Sequence, residues 1–300
     1  MDSCFFSIII PTYNQGNFLK KALNSVLNQT YKNFEIIIID NHSDDNTQEV
    51  VKSFKSNKII YERIYNQGII GKSRNLGIKK SRGKWVAFLD SDDFWYGERL
   101  QKIFNFLSNE EKYEVICTDE LIVDEPMGIK KVWRYGPFKE NFYKTLLKKG
   151  NCISTSASVV KKDFLLEQNI NFNEDKNFVT AEDYDFFMNL AFKKAKFKFL
   201  HEVMGEHLFH NKSQSSNYVW HKKSVMSVVK HHVFKVQDFE KDKNKLWNSL
   251  GYYFEFMDLI QFYKNDRNYL KSFLTLIKVF FRFPLKTIIL FYNHLLKKLN

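Results

Sequence analysis

The first 90 residues alternate short apolar runs with helical patterns, and this alternation constrains the fold more than any other feature. Four runs have the length and β-branched content of strands: FSIIIP (6–11), FEIIIID (34–40), KIIYERI (58–64) and KWVAFLD (84–90). After the first run, apolar residues recur at helical spacing from Leu19 to Leu27. Strands that alternate with helices predict a largely parallel sheet that is covered on both faces.

Polar clusters follow three of these runs. PTYN follows the first, DNHSDDNT the second and DSDD the fourth. In open α/β sheets ligands bind beyond the carboxyl ends of the strands, so the three clusters are expected to converge on one cleft. Taken singly, each cluster also suits an ordinary turn or helix N-cap, and that alternative stays open.

The third cluster places Asp90, Asp92 and Asp93 at the end of a run that reads as a buried strand. Three unpaired carboxylates beside a core are costly without a cation or many hydrogen bonds. Mg²⁺ is commonly held by one or two carboxylates together with the phosphates of a substrate. The cluster therefore suggests a divalent cation site.

The second half of the domain is less regular. Strands are indicated at VICTDELIV (115–123) and KKVWRYG (130–136), and a helix at NFYKTLLKK (141–149). The segment TAEDYDFFMNLAFKKA opens another helix at about Ala181, and FKFL (197–200) reads as a strand. The acids Glu182 and Asp183 suit a helix N-terminus in any protein, so their position alone does not assign them a function.

In their order along the chain, these motifs resemble the family 2 glycosyltransferases. The matching stretches are SIIIPTYNQGNFLKKALNSVLNQTYKNFEIIIIDNHSDDNT, NQGIIGKSRNLGIKKSRGKWVAFLDSDDFW, AEDYDFFMNLA and HNKSQSS. The resemblance implies an α/β fold of the GT-A nucleotide-diphospho-sugar transferase type, with a mostly parallel central sheet flanked by helices. It also implies an inverting transfer of a sugar from a nucleotide sugar, with Mn²⁺ or Mg²⁺ as cofactor.

The resemblance implies roles for individual residues. Those that would hold the nucleotide are Pro11, Thr12, Tyr13, Asp40, Arg74, Asp90 and Ser91, with Asp40 accepting a base N–H. Asp92 would contact the metal ion, and His210 would approach the metal or the diphosphate as a further ligand. Asp183 would be the catalytic base, and Glu182 would orient that base or bind the acceptor. Asn41 stands where this family often has an acid, which affects a secondary contact.

The basicity of the chain is concentrated at its C-terminal end. Residues 220–300 contain 15 Lys/Arg and 6 Asp/Glu, and so hold +9 of the net charge of +12. In the segment 268–299 the cations Lys271, Lys278, Arg282 and Lys286 share one helical face, and aromatic and aliphatic residues fill the rest. This pattern favours an interfacial helix on an anionic membrane. The alternative is packing on the catalytic domain or on a second subunit as a homodimer, and nucleic acid is disfavoured because the cations lie among bulky aliphatics.

Taken together, we expect a GT-A domain at 1–217, with a nucleotide-binding half at about 1–118 and an acceptor-binding half at about 119–217. A helical extension occupies 218–300. The N-terminus lacks the pattern of a signal peptide and the three cysteines are widely spaced, which favours a cytoplasmic protein, peripheral on the inner face of the membrane.

The expected reaction joins a sugar, from UDP-sugar in the leading interpretation, to a hydroxyl of a growing surface glycan. Lipopolysaccharide, lipooligosaccharide, capsule and lipid-linked oligosaccharide are the acceptor classes considered. A polyprenyl-phosphate acceptor and a non-catalytic relative are alternatives. A receiver-like switch leaves AEDYD unexplained, and a dinucleotide oxidoreductase lacks the GxGxxG motif.

Overall fold

The computed structural model describes residues 4–110, 112–210, 213, 216–265 and 268–284. The first half contains β1 (Phe6–Thr12), α1 (Gly16–Leu27), β2 (Phe34–Asp40), α2 (Thr47–Ser53), β3 (Ile59–Arg63), α3 (Ile70–Lys80), β4 (Trp85–Phe88), β5 (Phe94–Trp95) and α4 (Arg99–Asn109). The second half contains β6 (Val115–Asp124), β7 (Ile129–Trp133), α5 (Phe142–Lys149), β8 (Ser158–Lys161), α6 (Lys162–Glu167), α7 (Glu182–Phe192) and β9 (Phe197–Phe209). Three helices follow: α8 (Tyr218–His231), α9 (Lys243–Ile260) and α10 (Tyr269–Arg282).

The parallel half of the sheet has the order β3-β2-β1-β4. Every residue of β1 and β2 is buried, which explains their near-continuous isoleucine runs, because a parallel sheet is covered on both faces. Thr12 lies beside Asp40 in the register, so the first two polar clusters begin at adjacent strand ends. Strand β4 stops at Phe88, two residues before the end of the predicted run, and leaves the acidic cluster in a turn.

The rest of the sheet is mixed and continues as β8-β6-β9-β5, with β7 paired to β6. Strand β8 is antiparallel to β4, and β6 is parallel to β9. Strand β9 is much longer than the predicted FKFL segment. It passes two irregularities in its pairing with β6, at Thr118 to Leu121, and its far end pairs with β5. This extension brings the segment before His210 to the acidic cluster.

The first two C-terminal helices belong to the core of the catalytic domain. Val228 and Val229 of α8 and Leu250 and Phe254 of α9 are buried in the same apolar cluster as Phe186 of α7. The predicted boundary at 217/218 coincides with the start of α8. Across that boundary, however, the apolar packing is continuous.

Two cations of helix α10 form ion pairs with the preceding helix. Lys278 Nζ and Arg282 Nη1 lie 3.0 and 2.9 Å from Oε1 of Glu255, a buried residue of α9. Phe273, Leu274 and Phe281 of α10 are exposed. Lys278 and Arg282 therefore have a protein partner while their side chains stay more than half exposed, and the contact of this face with a membrane stays a prediction. Lys286 and residues 285–300 lie outside the described part of the chain, and no helix within that part is long and apolar enough to cross a bilayer.

Candidate active site

A cavity of about 780 Å³ opens at the carboxyl ends of β1 and β4, where ligands bind in open α/β sheets. The strand ends that the sequence predicted to converge do meet here, since β2 contributes Asn41. Nine of the predicted site residues line the cavity: Pro11, Thr12, Tyr13, Arg74, Asp90, Ser91, Asp92, Glu182 and Asp183. Asp40 precedes the lining residue Asn41, and His210 contacts the lining residue Asp92.

Arg74 joins the acidic cluster to the helix of the predicted base. Its guanidinium is buried and donates from Nη2 to Asp90 Oδ1 at 2.7 Å and from Nη1 to Glu182 Oε1 at 2.6 Å. The charges of Asp90 and Glu182 raise the pKa of Arg74 against the opposing effect of burial. The planar guanidinium can serve both carboxylates at once, so residues 108 positions apart are held in a fixed geometry.

Asp92 and His210 form the second polar contact of the acidic turn. His210 Nε2 lies 2.9 Å from Asp92 Oδ2, and the imidazole stacks on Phe18 with ring centroids 4.8 Å apart. Gln15 accepts a hydrogen bond from Ser91 and donates to Asp92 Oδ2 at 3.4 Å. Burial and the nearby charge of Asp90 raise the pKa of Asp92. A cation at this carboxylate would relieve both unfavourable effects.

Asp93, the third acid of the cluster, is held in the interior by contacts with the end of β9. It is buried and accepts hydrogen bonds from the backbone N–H of Leu208 at 3.0 Å and from His207 Nδ1 at 3.1 Å. The charge of Asp93 raises the pKa of His207 to about 10, so this pair is ionic at neutral pH. It fixes the end of β9 against the acidic turn, and His210 follows three residues after His207.

Asp183 occupies the first turn of α7. Its Oδ2 accepts a hydrogen bond from Asn151 Nδ2 at 3.1 Å, and its Oδ1 accepts one from the Tyr184 N–H at 2.7 Å. Burial raises the pKa of Asp183 to about 7, the adjacent Glu182 adds to this effect, and Arg74 opposes it. A carboxylate with a pKa near neutrality is well matched to general-base catalysis.

Asp40 is buried next to the cavity residue Asn41 and is held by several protein donors. Its Oδ1 accepts from the N–H and hydroxyl of Ser43 at 2.9 and 2.5 Å; its Oδ2 accepts from the Tyr61 hydroxyl at 2.5 Å and lies 3.4 Å from Arg63 Nε. These contacts fix the loop that presents Asn41 to the cavity. Each carboxylate oxygen can accept more than one hydrogen bond, so the contact of Asp40 with a nucleotide base stays a prediction.

Three buried polar atoms around the cavity have no partner within the described residues: Thr12 Oγ1, Arg74 Nε and Glu182 Oε2. Unsatisfied buried groups are rare, and a bound ligand or water often accounts for them. A group of three or more metal-binding side chains is also absent from the described part of the chain. The pair Asp92 and His210 still fits Mn²⁺ or Mg²⁺, because such ions are completed by substrate phosphates and water in many sites.

Several cavity residues were missed by the sequence analysis: Gln15, Asn66, Asn151, Thr180, His221, Val225 and Tyr253. The last three come from α8 and α9, and no local motif marks them. The position of Tyr253 depends on Gly150, whose φ of +88° suits glycine and where a side chain would lie 2.5 Å from the Tyr253 hydroxyl. That glycine lets α9 approach the loop that carries Asn151.

Comparison with known proteins agrees with this geometry. Residues 7–166 match the family model described as Glycosyl transferase family 2. An uncharacterized glycosyltransferase, MJ1057 of Methanocaldococcus jannaschii, is 28% identical over 68% of this chain and 70% of its own length. The Escherichia coli protein WfaP, a UDP-Glc:α-D-GlcNAc-diphosphoundecaprenol β-1,3-glucosyltransferase, is 31% identical over 70% of this chain and 80% of its own length.

The fold has close structural counterparts as well. The structure of S. aureus TarS 1–349 in complex with UDP-GlcNAc superposes with a TM-score of 0.67 at 22% identity, covering 94% of this chain and 82% of TarS 1–349. The GT-A fold expected from the sequence is thereby confirmed. Since the family model covers more than half of the chain and the motifs fall in one cavity, this protein belongs to glycosyltransferase family 2.

Proposed function

We propose that this protein is an inverting, metal-dependent glycosyltransferase that moves a sugar from a UDP-sugar to a hydroxyl of a lipid-linked glycan. The observation that carries the proposal is the meeting of Asp90, Asp92 and Asp183 in one cavity, with Arg74 between them. The relative WfaP uses UDP-glucose and forms a β linkage, which inverts the α configuration of that donor. The UDP-GlcNAc complex of TarS adds support for a UDP-sugar donor.

The nucleotide would occupy the part of the cavity formed by the ends of β1 and β2. Tyr13 is 56% exposed at its rim, where an aromatic ring can stack on a base. Thr12 Oγ1, buried without a partner, is available to a ribose or base atom. Asp90 and Ser91 lie beside Asp92, which with His210 would hold the metal ion next to the diphosphate. When bound, that ion would neutralise the charge of the diphosphate.

Transfer then needs a base on the acceptor side. Asp183 takes the proton of the acceptor hydroxyl while that oxygen attacks the anomeric carbon. The bond from this carbon to the β-phosphate oxygen breaks on the opposite face, and UDP leaves with the bonding electrons. Arg74 holds Glu182 and thereby the first turn of α7, so it positions the base.

The position of Asp183 in the cavity favours a sugar hydroxyl over a polyprenyl phosphate as the acceptor. A polyprenyl phosphate already carries an ionised oxygen and needs no base to become a nucleophile. A sugar hydroxyl does need one, and Asp183 has a pKa near neutrality in the cavity. This carboxylate also argues against a non-catalytic relative. We therefore favour a sugar hydroxyl, as in the acceptor named for WfaP.

The test is a panel of UDP-sugars with a synthetic α-D-GlcNAc diphospholipid and related lipid-linked sugars, each with and without Mn²⁺ or Mg²⁺. Wild type is compared with Asp92→Asn, Asp183→Asn and Asp163→Asn, the last an exposed residue of α6 that serves as control. We expect metal-dependent transfer with one donor, lost in the first two variants and kept in the control. Failure of the wild type to bind UDP-sugars, or to transfer to any acceptor of the panel, would contradict the proposal.

Helix α10 suggests where the reaction takes place. Its exposed apolar face, which includes Phe273, Leu274 and Phe281, would rest in the lipid surface and bring the cavity near a lipid-linked acceptor. The enzyme would then act as a peripheral protein at the inner face of the cytoplasmic membrane.

A further inference from the structure

His221, in the first turns of α8, lines the cavity although it lies outside all the motifs of the family resemblance. Its Nδ1 is 3.0 Å from the backbone oxygen of Thr180 and 3.2 Å from the Thr180 hydroxyl. A carbonyl oxygen can only accept a hydrogen bond, so Nδ1 carries the ring proton. In the neutral imidazole the other nitrogen, Nε2, is then a bare acceptor.

The surroundings of His221 keep the imidazole neutral. Burial lowers the pKa of His221 from its usual value, and the hydrogen bond to Thr180 only partly opposes this effect. The ring makes no ion pair with a carboxylate within the described residues. At neutral pH the cavity wall therefore offers an uncharged acceptor at this point.

The contact with Thr180 joins His221 to the segment that leads into the predicted base. Thr180 lines the cavity, has a φ of +80°, and precedes Asp183 by three residues. Positive φ is rare for a β-branched residue, so the neighbouring structure must hold this conformation. His221 does so from outside the α7 segment, and Val225 and Tyr253 extend the same wall.

We propose that Nε2 of His221 accepts a hydrogen bond from a hydroxyl of the acceptor sugar other than the attacking one, and thereby selects the acceptor. The inference rests on the proposed function and deepens it. A sugar presents several hydroxyl donors, and a fixed acceptor in the same cavity as the base would admit a sugar whose second hydroxyl matches that position. A catalytic role is not needed, since Asp183 removes the proton.

Two substitutions separate the two nitrogens of the ring. In His221→Asn the amide replaces the Nδ1 side of the ring, so the donor to Thr180 is kept and the Nε2 acceptor is lost. In His221→Gln the amide reaches the Nε2 position, so an acceptor is kept and the Thr180 contact is lost. Both variants are assayed for UDP affinity, for donor hydrolysis without acceptor, and for transfer to the lipid-linked sugar that the wild type uses in the panel described above.

We expect His221→Asn to raise the acceptor KM about threefold to tenfold, as the loss of one neutral hydrogen bond implies. UDP affinity and donor hydrolysis should remain within about twofold of wild type, since the donor side is intact. His221→Gln should keep the acceptor KM and lower kcat, because the segment before Asp183 is less firmly held. Monodeoxy acceptors identify the partner: one of them should lose affinity with wild type and lose nothing further with His221→Asn.

An unchanged acceptor KM in His221→Asn, with transfer intact, would overturn the inference and leave the proposed function standing. Equal changes in both variants, in donor hydrolysis as well as transfer, would overturn it too, because they would show a structural role alone. Absence of UDP binding and transfer in the wild type would instead contradict the proposed function, and the inference with it.

Discussion

At the scale of single residues, Arg74 is the buried cation that pairs with two carboxylates of the candidate site. It forms ion pairs with both Asp90 and Glu182 while being buried itself, and removing one partner of a buried pair leaves an uncompensated charge. We expect Arg74→Met to lower the free energy of unfolding by about 3–5 kcal/mol. Arg74→Lys should recover part of this loss, because one ammonium group cannot meet both carboxylates in the same geometry. Urea denaturation measures both effects.

Lys80 provides the control from the same helix. It pairs with Glu62 on the surface, where each side chain is about one-third exposed. Exposed ion pairs contribute little, so Lys80→Met should change the free energy of unfolding by less than about 1 kcal/mol. A similar loss in the Lys80 and Arg74 variants would contradict the special position of Arg74.

Asp183 predicts a pH dependence. Its pKa is raised from 3.8 to about 7, and a base acts in the deprotonated form. The value of kcat/KM should therefore rise about tenfold per pH unit below 7 and level off above it. Asp183→Asn should lower kcat by about 10²–10⁴-fold and abolish this limb of the profile. If kcat/KM of the wild type did not change between pH 5 and 8, Asp183 would not be the catalytic base.

The raised pKa of Asp183 also means that this group stabilises the fold less at neutral pH than at acidic pH. Between pH 4 and 7 the folded chain keeps a proton that the unfolded chain has lost, so this group's contribution to stability falls as the pH rises through that window. Asp183→Asn should therefore weaken the pH dependence of the melting temperature there. The contribution of Asp183 is complete below the unfolded value of about 4.

At the scale of elements, a buried histidine joins α7 to the C-terminal helices. His232 donates from Nε2 to Asp185 Oδ1 at 2.9 Å, and its Nδ1 lies 3.1 Å from the Tyr143 hydroxyl of α5. We expect His232→Ala to cost about 2 kcal/mol or more, because Asp185 loses its hydrogen-bond partner inside the core. His231→Ala, next in sequence, removes ring contacts with Phe178 and with His232 but no hydrogen bond to Asp185, and should cost less. Thermal unfolding of the two variants tests this difference.

The strands show what sequence can and cannot predict. The bounds of β1 and β2 were predicted to within one residue. A strand that is covered on both faces consists of an almost continuous apolar run, which is visible in the sequence. Strand β9 was missed beyond Leu200, since its partly exposed residues follow no simple alternation where the pairing with β6 is irregular. The residues of α8 and α9 in the cavity left no local signal either. Their positions depend on packing between distant segments.

At the scale of the whole molecule, α10 determines how the protein meets a surface. Two of its three cations, Lys278 and Arg282, are paired with Glu255, so membrane binding should depend on apolar contact more than on charge. Flotation with liposomes of neutral and of anionic lipid should recover the intact protein in both cases. The double variant Phe273→Glu/Phe281→Glu should bind about a hundredfold less tightly, since two aromatic side chains are withdrawn from lipid.

The control for this experiment is Val219→Glu on α8. Val219 is 77% exposed and Phe281 is 79% exposed, but Val219 belongs to a different helix. Val219→Glu should float like the wild type if α10 is the membrane contact. Equal flotation of all three proteins would show that the exposed face of α10 does not bind lipid. Reduced flotation confined to neutral lipid would show that the surface charge of the protein replaces the apolar face as the main attraction.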